Sequence, residues 1–180
     1  MLNRPLRIRD YRPEDLEKLH AMDRICFPDG IAFSLEELCL FCNHIDGICR
    51  IAENSKGISG FIIAQRESAH MARIITLDVS PEERRHGIGF TLMKDMHRIL
   101  KSLGVEWIAL EVGTGNTPAK RLYEKLQYGY TGFLPCYYGR VGPESINSGK
   151  KPANPEIQGR ELPDRFEYNN RDAFMMIRKL

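Results

Sequence analysis

The hydrophobic pattern changes period between Ala72 and Leu103, and this change restricts the possible folds more than any other feature of the chain. Ala72 to Val79 reads as a strand, closed by Ser80-Pro81. Gly87 to Leu103 then places Leu92, Met96, Ile99, Leu100 and Leu103 on one helical face, with Gly104 as the expected stop. Between them runs Arg84-Arg85-His86-Gly87-Ile88-Gly89. A helix start leaves about four backbone N–H groups without partners and carries a partial positive charge. Gly87 and Gly89 have no Cβ, so a bulky anion can reach the backbone, and Arg84, Arg85 and His86 add positive potential. The order strand, basic glycine turn, helix therefore fits a pyrophosphate. It lacks the third glycine of the dinucleotide fingerprint and the Gly-Lys-Ser/Thr of the P-loop. Taken alone, a helix start with a solvated charge run explains the same residues.

The remaining elements fall around this unit. A short strand ends near Ile8, and Leu16, Leu19, Met22 and Cys26 recur at the helical period after Pro13, with Glu14 and Asp15 at the positive end of the dipole. Ser34 with Glu37 makes a capping box for a second helix. Gly47–Glu53 and Ile58–Arg66 read as a hairpin around Asn54-Ser55-Lys56-Gly57. Val105–Val112 reads as a strand, Thr117 and Pro118 open a helix bearing Ala119, Leu122, Tyr123 and Leu126, and Thr131–Tyr138 and Asp172–Arg178 read as a closing strand pair. The stretch 139–171 holds Pro143, Pro152, Pro155 and Pro163 and few aliphatic residues. It far exceeds the usual ~4–6-residue connection and reads as a long loop insertion. The expectation is a single domain over 1–180, with a mixed α/β (α+β) architecture and that insertion inside it.

Composition narrows the function classes. Of 180 residues, 42% are hydrophobic and 28% charged, with a net charge of +2, so nothing calls for nucleic acid and any basic site is local. No apolar run approaches the ~20 residues that span a bilayer, and MLNRPLRIRD lacks the apolar middle of a secretion signal. A cytoplasmic protein is expected. The five cysteines, an odd number, suit buried thiols in a reducing compartment. Cys39, Cys42, His44 and Cys49 could supply zinc ligands, but Leu38, Leu40 and Phe41 interleave with them as core residues would, and no metal is expected.

Arg84-Arg85-His86-Gly87-Ile88-Gly89 resembles the Q/R-x-x-G-x-G/A signature of the GCN5-related N-acetyltransferases (GNAT). Leu110-Glu111-Val112, Asn116, Ala119 and Tyr123 resemble the next block of the RimI-type protein N-terminal acetyltransferases, and Cys136-Tyr137-Tyr138 the aromatic strand end that follows. The resemblance implies a mostly antiparallel central sheet flanked by helices, with acetyl-CoA as co-substrate and its pyrophosphate on residues Arg84 to Gly89. It also implies that the Leu77–Val79 backbone binds the pantetheine, that Val79 N–H polarises the acetyl carbonyl, and that Tyr123 protonates the departing thiolate. Asn116 would touch the cofactor arm or cap its helix. Two departures stand out. Leu126-Gln127-Tyr128 replaces the usual Leu-Gly-Phe, so the turn there is expected to differ, and the insertion replaces a short loop on the acceptor side.

Acetyl transfer needs a base for the amine and an acid for the thiolate. Glu111 shares a strand face with Val105, Trp107 and Ala109, and a carboxylate ending an apolar face should hold its proton more tightly than usual, which suits a base. An ion pair with an arginine is the plainer role for it. Tyr123, by composition alone, is a core aromatic with a wet hydroxyl. Phe33, Tyr137 and Tyr138 could line an acceptor groove or simply pack. The reading is an acetyl-CoA-dependent N-acetyltransferase acting on a protein or peptide N-terminal α-amine by direct attack. A lysine or small-molecule amine acetyltransferase and a non-catalytic acyl-CoA-binding module are the alternatives.

Overall fold

The structure is a computed structural model that describes residues 6–27, 31–139 and 171–180. The insertion expected at 139–171 lies, but for its ends, outside the described residues. Seven strands form one mostly antiparallel sheet in the order β1-β2-β3-β4-β5-β7-β6, with four helices, the mixed α+β architecture expected. The chain divides into two compact units, the described residues of Met1–Ile108 with Lys179–Leu180, and those of Ala109–Arg178.

The first unit opens with β1 (Arg7–Asp10) and α1 (Leu16–Cys26). Pro13–Asp15 forms a 3-10 turn rather than the first turn of α1. Asp15 does more there than face a helix dipole: its buried carboxylate accepts both terminal nitrogens of Arg9, at 2.7 and 2.9 Å, and the backbone N–H of Arg12. The Ser34–Glu37 capping box starts α2 (Leu35–Asn43) as expected. β2 (Gly47–Asn54) and β3 (Gly57–Arg66) make the hairpin, and β4 (Met71–Val79) pairs antiparallel with β3. Leu19, Leu38, Cys49, Ile51, Phe61 and Ile63 form a core between α1, α2 and the sheet.

α3 (Ile88–Ser102) closes onto the sheet at Gly60. A Cβ there would lie 2.5 Å from the Asp78 carbonyl and 3.4 Å from Ile88 Cγ2 and Leu92 Cδ1, so the bare glycine sets how close α3 packs. Arg50 of β2 adds an ion pair to Asp95 of α3 at 2.7 Å. Gly104 (φ +83°) ends the helix, with its N–H on the Lys101 carbonyl and the Val105 N–H on that of Leu100, both 3.1 Å. Leu103 departs from the expected apolar face and is 45% exposed, because the chain leaves the helix before it.

β5 (Trp107–Gly113) leads into the second unit, which holds α4 (Thr117–Lys125), β6 (Gly129–Leu134) and β7 (Ala173–Lys179). β6 pairs antiparallel with β7 and ends earlier than the sequence suggests. Cys136 takes a left-handed φ of 54° while its N–H donates to the Asp172 carboxylate at 2.7 Å. Tyr137 and Tyr138 therefore sit in a 3-10 turn (Tyr137–Gly139), not on a strand. The departure expected at Gln127 does not occur. Gln127 itself adopts φ 64°, its N–H bonds the Glu124 carbonyl, and the Tyr128 N–H bonds that of Tyr123, both 2.9 Å. That is the helix stop a glycine would make, kept by a residue that makes it less readily.

The thiols correct another expectation. Cys49 is buried and Cys26 and Cys42 are half-buried, but Cys39 and Cys136 are exposed. Among the described residues, no three His, Cys, Asp or Glu side chains are placed to hold a metal ion, so the Cys39–Cys49 set does not form a zinc site. None of the described helices is long and apolar enough to cross a membrane.

Candidate active site

In the first unit the end of β4 and the start of α3 form one continuous piece. Ser80 N–H points to β3, where it bonds the Ser59 carbonyl at 3.0 Å. Strand alternation then turns the N–H and C=O of Leu77 and Val79 away from β3. The Val79 carbonyl is engaged within the unit, accepting from Arg84 Nε at 3.1 Å and from Cys26 Sγ at 3.4 Å.

The turn before α3 is bent twice through left-handed backbone, at Arg85 (φ 66°) and Gly87 (φ 81°). Only glycine adopts that region freely, and an arginine there costs about 1–2 kcal/mol. Gly87 is the N-cap of α3 but brings no capping side chain, and the first helical bond is Thr91 N–H to the Gly87 carbonyl at 2.9 Å. The N–H groups of Gly87, Ile88 and Gly89 thus precede the first carbonyl that could pair with them. Arg84, Arg85, His86 and Gly87 are all exposed around this start. Ile88 is 3% exposed, so its side chain anchors the helix and only its amide can serve a ligand. Strained backbone, unpaired amides and a cluster of cations make an anion cradle.

In the second unit Glu111 is half-buried on β5, and its charge reaches the Tyr138 hydroxyl. Burial, and then that charge, push the Tyr138 phenol up to about 12, so it stays protonated. Tyr138 also lies against the end of β5, where a Cβ on Gly113 would meet its ring at 3.5 Å. Tyr123 on α4 is 7% exposed and packs on Tyr128, ring centroids 5.8 Å apart. Burial raises the Tyr128 phenol above its ordinary range. Asn116 caps α4: its Oδ1 accepts the Ala119 N–H at 3.2 Å. Tyr137 and Tyr138 pack edge to face at 4.9 Å, and Tyr137 is 45% exposed. Phe33 packs edge-on against Phe41 at 5.3 Å on the fringe of the core, so its ring serves packing first.

Sequence reasoning passed over Asp23 and Asp78, both fully buried beside this site. A signal for Asp78 existed. The buried positions of β4 are Ala72, Ile74, Thr76 and Asp78, so a carboxylate occupies the inward phase of an alternating strand.

A seven-stranded sheet with helices and an uncapped anion cradle after its fourth strand suits an enzyme that takes an acyl group from coenzyme A. The chain belongs to the acetyltransferase (GNAT) family, whose model matches residues 15–128, and is an acetyl-CoA-dependent N-acetyltransferase. It is 28% identical over 148 residues to an uncharacterised N-acetyltransferase of Methanocaldococcus jannaschii, covering 82% of this chain and 92% of that one. It is 26% identical over 152 residues to the N-alpha-acetyltransferase of Saccharolobus solfataricus, covering 75% and 87%. The fold matches Ard1 from Thermoplasma volcanium (TM-score 0.74, 21% identity, 97% of both chains). It also matches the ribosomal-protein-S18-alanine N-acetyltransferase from Escherichia coli (TM-score 0.73, 18% identity, 97% and 94% of the chains).

Proposed function

We propose that the protein acetylates the α-amine of a peptide or protein N-terminus, with residues 1–180 acting as one catalytic domain into which 139–171 is inserted. The observation that carries the reading is the strained, uncapped start of α3 at Arg85 and Gly87. It supports acetyl-CoA bound by its pyrophosphate on the amides of Gly87, Ile88 and Gly89, with Arg84, Arg85 and His86 around it. The relatives named N-alpha-acetyltransferase support the α-amine as acceptor. So does acid–base chemistry. At pH 7 roughly a tenth of an α-amine (pKa about 8) is neutral, against under about a thousandth of a lysine (about 10.4). The five cysteines, all free thiols among the described residues, suit action in the reducing cytoplasm.

In this mechanism the amine attacks the thioester directly in a ternary complex. Glu111 takes the amine proton, directly or through water, while Val79 N–H holds the developing oxyanion. Tyr123 gives its proton to the leaving thiolate. Tyr137 and Tyr138, near Glu111 in the second unit, are candidates to line the acceptor, as is Phe33 of the first.

Mass spectrometry of a mixed library of N-terminal peptides, lysine peptides with blocked N-termini and polyamines, incubated with acetyl-CoA, tests the assignment. Acetyl groups should appear on free N-termini, and exclusive modification of lysines or polyamines would overturn the acceptor class. Tyr123→Phe should lower kcat by about a hundredfold while acetyl-CoA affinity stays unchanged. Unaltered turnover would remove Tyr123 from the mechanism.

A further inference from the structure

Two carboxyl groups that this chemistry leaves unused face each other inside the first unit. Asp23, in the last turn of α1, and Asp78, on β4, are both 0% exposed. Asp23 Oδ2 accepts the Phe33 backbone N–H at 2.6 Å, and Asp78 Oδ1 accepts the Thr76 hydroxyl at 2.6 Å. The remaining oxygens, Asp23 Oδ1 and Asp78 Oδ2, are buried and receive no donor from any other residue. The two side chains are within hydrogen-bonding reach of each other. Ionised carboxylates only accept hydrogen bonds, so this contact requires one of them to keep its proton. Both ionised, they would place two like charges side by side out of water.

The surrounding groups do not neutralise the pair. Arg84 attracts Asp78 from the α3 turn, but its Nε is committed to the Val79 carbonyl. His20 of α1 attracts Asp23, while Glu37 of α2 repels it. The Cys26 thiol lies beside Asp78 and is itself pushed up, by burial and by that carboxylate. Burial is likewise the main reason that Asp23 and Asp78 hold protons above the ordinary aspartate range.

We propose that Asp23 and Asp78 share one proton and that the bridged pair is a positioning device for acetyl transfer, holding the start of α2 at Phe33 and the end of β4 at Val79 in their working places. The positioning role rests on the acetyl-transfer reading; the shared proton does not. α1 holds the end of β4 twice from neighbouring positions on one face, through Asp23 and through Cys26, whose Sγ reaches the Val79 carbonyl at 3.4 Å. The same Asp23 carboxyl holds the Phe33 backbone. Removing the proton drives the two carboxylates apart and loosens both attachments together.

The shared proton is tested on the unliganded full chain by following the Phe33 amide resonance across pH. It should move in one step above the ordinary aspartate range, and Asp78→Asn should abolish that step. Movement within the ordinary aspartate range, or none, overturns the shared proton. The positioning role is tested by kinetics. Asp78→Asn can donate its amide hydrogen to Asp23, so it should keep acceptor kcat/KM near wild type and lose the alkaline fall expected of the wild type. Asp78→Leu should lower acceptor kcat/KM by about tenfold with acetyl-CoA affinity unchanged. Identical behaviour of the two variants overturns the positioning role. A wild type inactive on every amine overturns that role together with the acetyl-transfer reading, while the shared proton is still decided by the Phe33 resonance alone.

Discussion

Arg85 and Gln127 are both held in left-handed backbone without being glycine, at φ 66° and 64°. Their strain is compensated differently. At Gln127 two backbone bonds and the Tyr123–Tyr128 ring contact close the end of α4, so the strain is met by packing. Gln127→Gly should therefore raise unfolding free energy by about 1 kcal/mol in denaturant titrations, with kcat unchanged. At Arg85 the strain turns a cation and the neighbouring amides outward. Arg85→Gly should relieve a similar strain but weaken acetyl-CoA binding, read by calorimetry. The sequence showed the glycine missing at 127 and suggested a different turn. A backbone dihedral set by bonds made on both sides of a residue is not written in that residue's identity.

Among the elements, α3 was the most legible. Its period, its Gly87 start and its Gly104 stop are local properties, and the structure keeps all three. Leu103 and the end of β6 were not legible, because α3 stops one residue before its apolar pattern does and the end of β6 depends on distant chain. Leu103 lies past the helix, and β6 stops where Asp172 accepts the Cys136 amide. Of the two roles the sequence offers Asn116, the bond to Ala119 N–H shows the cap. The start of α3 carries its own prediction. A Cβ at Gly87 would meet nothing within 4 Å, so Gly87→Ala should suffer only from its φ of 81°. Destabilisation of about 1–2 kcal/mol is expected, with a loss of acetyl-CoA affinity as the amides turn away.

At the scale of the whole molecule, buried carboxyls set opposite pH limits. Arg9 holds the Asp15 carboxyl below its ordinary value by direct hydrogen bonds, so its contribution is present above the ordinary aspartate range and is lost as pH falls through the lowered value. Asp23 and Asp78 are raised by burial. The folded state then binds a proton that the unfolded chain releases, and stability declines as pH rises from the ordinary aspartate range through the raised value. Denaturant titrations across pH should give a maximum on the mildly acidic side, and Asp78→Asn should flatten the alkaline decline. No local pattern announces such a pair, since its members come from α1 and β4. By contrast, the anion cradle lies within one short stretch and could be read before the fold was known. The account depends most on that cradle. Calorimetric titration with acetyl-CoA and with S-acetylpantetheine, which lacks the pyrophosphate, tests it most directly. Saturable binding of acetyl-CoA with most of the affinity lost for S-acetylpantetheine is the predicted result; equal affinity for the two, or no heat with acetyl-CoA, would contradict it.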